Sequence, residues 1–151
     1  MSVQFPAGLV TAIDHVGIAV PDLDEAIAFY VDSFGFSVVH HETNQGQEVR
    51  EAMLALGDSD TQLQLLAPLT PDSTIAKFLD RSGPGLQQLA YRVRNIDEAM
   101  EAVRAQGLRL VYEEARRGTA DSRINFVHPK DAGGVLVELV QPAAAGPEGV
   151  H

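Results

Sequence analysis

The chain has 151 residues, 45% of them hydrophobic, no cysteine and a net charge of −10, so it holds about one domain with a real core and excludes disulfides, thiolate metal sites and thiol nucleophiles. The acidic excess argues against nucleic acid as a partner, because phosphate contacts need basic surface. No apolar run approaches the ~18 residues of a membrane span, and Met1-Ser-Val-Gln-Phe-Pro6 lacks the basic and apolar segments of a signal peptide, so no membrane association and a cytoplasmic location are the expectation.

Residues 1–10 read as a flexible tail. Ala12–Val20 reads as a strand. Asp22 with Glu25 three residues on makes a capping box, and Leu23, Ala26, Ile27 and Tyr30 recur at helical spacing, which predicts a helix over 23–33. Gly35 ends it. Ser37–Glu42, Glu48–Leu56 and Gln62–Leu66 read as strands, the last alternating Leu63 and Leu65 with Gln62 and Gln64. A turn-rich linker over 70–83 carries a short helix, Thr74–Asp80, broken by Ser82-Gly-Pro-Gly85. Leu86–Val93 is then a strand, and Ile96–Gln106 a helix with Ile96, Ala99, Met100 and Val103 on one face. Arg109–Glu113, Ile124–His128 and Gly134–Val140 are the remaining predicted strands. The tail 143–151, rich in small residues, Gly and Pro, is expected to be disordered.

This order occurs twice. Ile13-Asp-His-Val-Gly-Ile-Ala-Val20 falls on Leu86-Gln-Gln-Leu-Ala-Tyr-Arg-Val93 at an offset of 73 residues, and Asp24-Glu-Ala26 falls on Asp97-Glu-Ala99. Phe34-Gly-Phe matches Gln106-Gly-Leu, and Gln62–Pro68 matches Leu136–Pro142. Internal periodicity of this kind organises a fold. It predicts an α+β domain over 11–142, built of two tandem βαβββ modules, 11–69 and 84–142. Each module has one helix over a short sheet, so the two sheets can curl around a shared cup, where a ligand site is expected. The repeat pairs His15 with Gln88 and Gln64 with Glu138, four polar residues inside apolar strand patterns. A carboxylate in Val-Leu-Val-Glu-Leu-Val is costly to bury without a metal or a partner. Glu51 falls opposite Asn125.

Arg116, Arg117, Arg123 and Lys130 stand within 15 residues against one acid, Asp121, a local charge of +3 on a chain that is otherwise −13. This patch reads equally as a site for a small anionic ligand or as a solvated loop. His40 and His41 alternate across a strand and cannot both face the cup. His128 precedes Pro129 in a turn, and His151 lies in the tail.

Ile13–Asp22 and its matching half resemble the vicinal oxygen chelate superfamily. Gln47–Met53, Leu63–Pro68, Ser73–Leu79, Gly118–Phe126, His128-Pro-Lys130 and Gly134–Glu138 are similar, more closely, to the methylmalonyl-CoA epimerases. The resemblance covers roughly residues 12–142. It implies paired βαβββ modules around a divalent metal held by His15, Gln64, Gln88 and Glu138. The family usually has a histidine at the place of Gln88, within a His-His pair, and this chain has Gln87-Gln88. One imidazole with three oxygen donors favours cobalt, with manganese, magnesium or zinc as alternatives. The resemblance further implies epimerisation of (2R)- and (2S)-methylmalonyl-CoA in propionate metabolism, by a homodimer. Glu51 would abstract the C2 proton and Glu138 serve on the other face. Arg116, Arg117, Arg123, Asn125 and Lys130 would meet the coenzyme A thioester.

Glu48 is the near alternative to Glu51 as base. Two other classes of function stay open. A metal-weak binding protein on this scaffold is favoured by Gln88, whereas Glu51 favours the enzyme. A glyoxalase-like enzyme is the third. An iron dioxygenase would need two histidines and one carboxylate, and the chain offers a single candidate histidine ligand.

Overall fold

Capping chemistry sets the helix starts. In the computed structural model, which describes residues 4–144, Asp22 and Asn95 each accept the backbone N–H three residues on, from Glu25 and Glu98, both at 2.9 Å. Ser73 does the same for Ala76 at 3.1 Å. The elements in chain order are β1 (Val10–Ala19), α1 (Leu23–Phe34), β2 (Ser37–Asn44), β3 (Val49–Ala55), β4 (Gln62–Pro68), α2 (Thr74–Ser82), β5 (Gly85–Val93), α3 (Ile96–Ala105), β6 (Arg116–Arg117), β7 (Arg123–Val127) and β8 (Val137–Gln141). Gly35 closes α1 in the left-handed conformation, φ 79°, which only glycine adopts without a Cβ penalty.

The eight strands form one curled sheet in the order β2-β3-β4-β1-β5-β8-β7-β6. The order is symmetric about the central β1/β5 pair. Each module pairs its first and last strands in parallel, β1 with β4 and β5 with β8. The modules join through β1 and β5, which run antiparallel. One sheet face is covered by helices. Leu23 packs with Ala52, Leu54 and Leu65 under α1, and Ile96, Ala99, Met100 and Val103 of α3 pack with Val127, Val137 and Leu139. Ile75 of α2 instead packs on Ala19, Val49 and Leu66, closing one end of the cup. Among the described residues, no helix is long and apolar enough to cross a membrane.

Two expectations fail. Arg109–Glu113 is not a strand, and only Leu110 bridges to Val127 there. Two backbone bonds flank that bridge, Val111 N–H to the Phe126 carbonyl at 2.8 Å and His128 N–H to the Arg109 carbonyl at 2.9 Å. At Tyr112 the Asn125 amide takes over: its Oδ1 accepts the Tyr112 N–H at 3.1 Å, and its Nδ2 donates to the Tyr112 carbonyl at 2.9 Å. The edge strand is Arg116–Arg117 instead, paired with Arg123 and Ile124. Nor is the stretch before β1 a loose tail throughout. Leu9 is fully buried in the α3 core, Phe5 packs against that core, and the Leu9 carbonyl accepts the Arg94 N–H at 2.9 Å. Of the other expected tail, residues 145–151 lie outside the described residues.

Candidate active site

Two β-bulges aim the polar residues. The β1/β5 register runs Ile13↔Tyr91 then His15↔Ala90, leaving Asp14 unpaired. It also runs Gly17↔Gln88 then Ile18↔Leu86, leaving Gln87 unpaired. A bulge breaks strict alternation and re-aims side chains. Asp14 can therefore bond to His15, its neighbour in sequence, and Gln87 and Gln88 both line one cavity. Asp14 and Gln87 are 73 residues apart, so the bulges obey the repeat. Gly17 is required by the second bulge, since a Cβ there would lie 2.5 Å from Gln88 Cγ.

His15, Gln64, Gln88 and Glu138 come together at the centre of the cup, and all four are buried. His15 Nε2 lies 3.0 Å from Glu138 Oε1. Gln88 Nε2 donates to that same oxygen at 2.6 Å and to Gln64 Oε1 at 3.1 Å, and lies 3.4 Å from His15 Nε2. Asp14 Oδ2 meets His15 Nδ1 at 2.7 Å, and Arg92 Nε donates to Asp14 Oδ1 at 2.7 Å. Burial works against charge on the His15 ring. The hydrogen bonds to Asp14 and Glu138 outweigh it and lift the imidazole to about 9. Burial likewise opposes ionisation of Asp14, but His15 and Arg92 hold its carboxyl below the ordinary value.

Glu51 stands on β3 in the same cavity, only 2% exposed. Burial pushes its pKa up to about 7. The Thr119 hydroxyl bond opposes the rise, and the charges of Glu42 and Glu138 add to it. Thr119 Oγ1 donates to Glu51 Oε1 and accepts from Gln64 Nε2, the latter at 3.0 Å. Glu48, the alternative base, does not line this cavity, and its Oε2 accepts from Thr70 at 2.7 Å. The cavity measures about 170 Å³ and is lined by both modules. Pockets that bury a whole drug-sized ligand run to about 300–1,000 Å³, so this one suits a small acyl end with the rest of a ligand outside.

Among the expected substrate contacts, only Arg116 and Arg117 border the mouth, in a groove shared with Thr43–Gln47. The Arg116 guanidinium lies 3.9 Å from the Tyr112 ring centroid. Asn125 does not reach the cavity, because its neighbours Ile124 and Phe126 line it and its own amide is spent on Tyr112. Glu51 pairs across to Leu66 and Ile124 to Val140, so Ile124 is the true counterpart of Glu51. The repeat slips by one residue there, and a one-residue slip moves a side chain to the other face. Arg123 pairs with Asp97 of α3 at 3.2 Å, on the helix side. Lys130 is exposed in a turn beyond the far end of β7. The basic patch of the sequence is thus not one surface. Sequence reading missed Thr119, which carries no local signal in an Arg-rich loop. It also missed Asp14, although the Asp-His pair was visible, because alternation places neighbours on opposite faces.

Residues 14–126 match the model of the Glyoxalase/Bleomycin resistance protein/Dioxygenase superfamily. A crystal structure of methylmalonyl-CoA epimerase from Mycobacterium tuberculosis superimposes with a TM-score of 0.89 at 60% identity, over 93% of this chain and 94% of that one. The chain belongs to the methylmalonyl-CoA epimerase family. The human mitochondrial methylmalonyl-CoA epimerase is 38% identical over 85% of this chain and 73% of its own length. A structure of a family member holding methylmalonyl-CoA and NH4+ gives a TM-score of 0.86 at 45% identity, over 89% of this chain and 96% of that one.

The donor set fits a divalent cation. His15 Nε2, Glu138 Oε1 and Gln64 Oε1 converge on Gln88 Nε2 at 3.4, 2.6 and 3.1 Å, all buried, so a cation in that place would be held by these three and, with its amide turned to present oxygen, by Gln88. A carboxylate, carbonyl and imidazole set of this kind suits a divalent cation.

Proposed function

We propose that the protein epimerises a methylmalonyl-CoA-type thioester at C2, with a divalent metal at the His15, Gln64, Gln88 and Glu138 cluster. The observation that carries this reading is the pair of buried carboxylates facing one cavity from opposite modules, Glu51 on β3 and Glu138 on β8. Inversion at a carbon needs a proton removed on one face and returned on the other, and two carboxylates on opposite walls can supply this. Glu51, with a pKa lifted to about 7, is matched to proton abstraction near neutral pH. It takes the C2 proton and becomes the acid. The C–H electron pair passes into the thioester carbonyl. Glu138, which enters the cycle carrying a proton from solvent, delivers it to C2 from the other wall as the electron pair returns from the enolate. Solvent then takes the proton from Glu51 and reprotonates Glu138. A metal bound by the cluster would supply Lewis-acid stabilisation of the charge on the thioester oxygen. The small cavity takes the acyl end, and the mouth groove with Arg116 and Arg117 meets the anionic coenzyme A portion.

The test is epimerisation of (2S)-methylmalonyl-CoA by the purified protein, before and after chelation and cobalt readdition. Turnover that falls on chelation and returns with cobalt is expected. A second reading rests on Gln88, whose neutral amide weakens the donor set: a binder that holds the thioester without turning it over. Saturable thioester binding with no change of configuration would favour that reading.

A further inference from the structure

The two modules touch across the cup in a second way, at the turn between β6 and β7. Glu42 on β2 pairs directly across the ladder with Glu51. Its Oε1 accepts the Ala120 N–H at 2.9 Å and meets His40 Nε2 at 2.5 Å, and its Oε2 meets Arg117 Nη1 at 3.4 Å. The turn it grips is tightly determined. Ala120 and Asp121 both have positive φ, 54° and 59°, a conformation costly for non-glycine residues unless the surroundings impose it. Gly118 is hemmed in, since a Cβ would lie 2.6 Å from Ile124 Cγ2. Arg117 also binds Asp121 at 2.7 Å, tying the turn to itself. Thr119, between Gly118 and Ala120, is the residue whose hydroxyl meets Glu51.

We propose that Glu42 is a positioning residue for the base, clamping the Gly118–Ser122 turn of the second module so that the Thr119 hydroxyl sits on Glu51. The proposal rests on the reading of Glu51 as base. Its chemistry is economical. One carboxylate, ionised by its own hydrogen bonds and by Arg117, fixes the turn, and its charge also faces the base. Burial opposes ionisation of Glu42, but His40, the Ala120 N–H and Arg117 outweigh it and hold its pKa low. The charged or titratable groups acting on Glu51 are Glu42 from β2, Glu138 from β8 and His15 from β1. Paired carboxylates whose surroundings push their pKa values apart divide into a base and a fixed charge.

A double-mutant cycle tests this, with kcat, KM and the pH profile measured for Glu42→Ala, Thr119→Val and both together. Misplacing a reacting group can cost about 10²-fold, so each single variant should lower kcat by roughly that factor or less, with KM changed only a few-fold. If Glu42 acts through Thr119, the double variant is no slower than Thr119→Val alone. In the Thr119→Val background, loss of Glu42 acts only through charge, so the acid limb moves to lower pH. Glu42→Gln keeps an oxygen for the Ala120 N–H and should restore most of kcat, which also guards against a folding defect in the alanine variant. Losses that multiply in the double variant, or full kcat in Glu42→Ala, would overturn the clamp. Glu51→Gln in the same assay separates the failures: if it stays active, the base assignment is what fell.

Discussion

The Glu51 carboxyl is perturbed because of where it sits. Burial raises its pKa to about 7 against the opposing Thr119 bond, and the charges of Glu42 and Glu138 add to the rise. A general base must be deprotonated to work, so kcat/KM should fall tenfold per pH unit as pH drops below about 7 and level off above it. A pH–rate profile of the free enzyme checks this. A limb near pH 4.5, the ordinary glutamate value, would mean that an exposed carboxylate is the base. Gln88 carries the second prediction at this scale. Imidazole binds late first-row metals better than a neutral amide, so Gln88→His should tighten cobalt binding while epimerisation persists. Calorimetric titration of both proteins decides it, and equal or weaker affinity in the histidine variant would remove Gln88 from the ligand set. The four clustered residues were legible in the sequence because polar groups at matched places in apolar strands are costly to bury unless they meet one another or a ligand. Thr119 was not legible. Its role depends on a turn from one module reaching a strand of the other, and nothing within 15 residues of it encodes that meeting.

A capping box with apolar spacing located α1, and apolar spacing alone α3, each to within a residue or two, since both signals are local. The segment Arg109–Glu113 misled, because apolar residues that touch a core need not be in a ladder. Beyond a two-bond contact with β7, the fully buried Asn125 holds Tyr112 by side chain. Asn125→Ala should therefore destabilise the fold by about 1–3 kcal/mol, the usual penalty for stranding buried backbone groups, while KM for the thioester stays near wild type. Chemical denaturation beside steady-state kinetics would show it. A large KM change at unchanged stability would restore Asn125 to the substrate site. Gly17→Ala is the matching test of the β5 bulge. Its Cβ would drive into Gln88 Cγ, so metal affinity should fall in this variant while α1 and α3 remain folded by circular dichroism. Unchanged affinity would show that Gln88 needs no such seat.

At the scale of the molecule, duplication explains the site. Each module buries only one sheet face under its helix, and the other faces meet around a cup whose centre collects His15 and Gln64 from one repeat and Gln88 and Glu138 from the other. The repeat revealed this plan in the sequence, but not its registers. Bulges at Asp14 and Gln87 shift single strands by a residue, and the slip that sent Asn125 to the helix side placed Ile124 opposite Glu51. Symmetry thus builds the buried polar cluster, and a break in symmetry leaves one module with a buried carboxylate, Glu51, where the other has the apolar Ile124. That asymmetry is the core of the account, and solvent-deuterium incorporation at C2 of methylmalonyl-CoA by Glu51→Gln tests it most directly. The variant should melt as wild type does, bind cobalt and thioester, and exchange about 10²–10⁴-fold more slowly, the usual loss of a general base. Exchange within a few-fold of wild type would contradict the assignment.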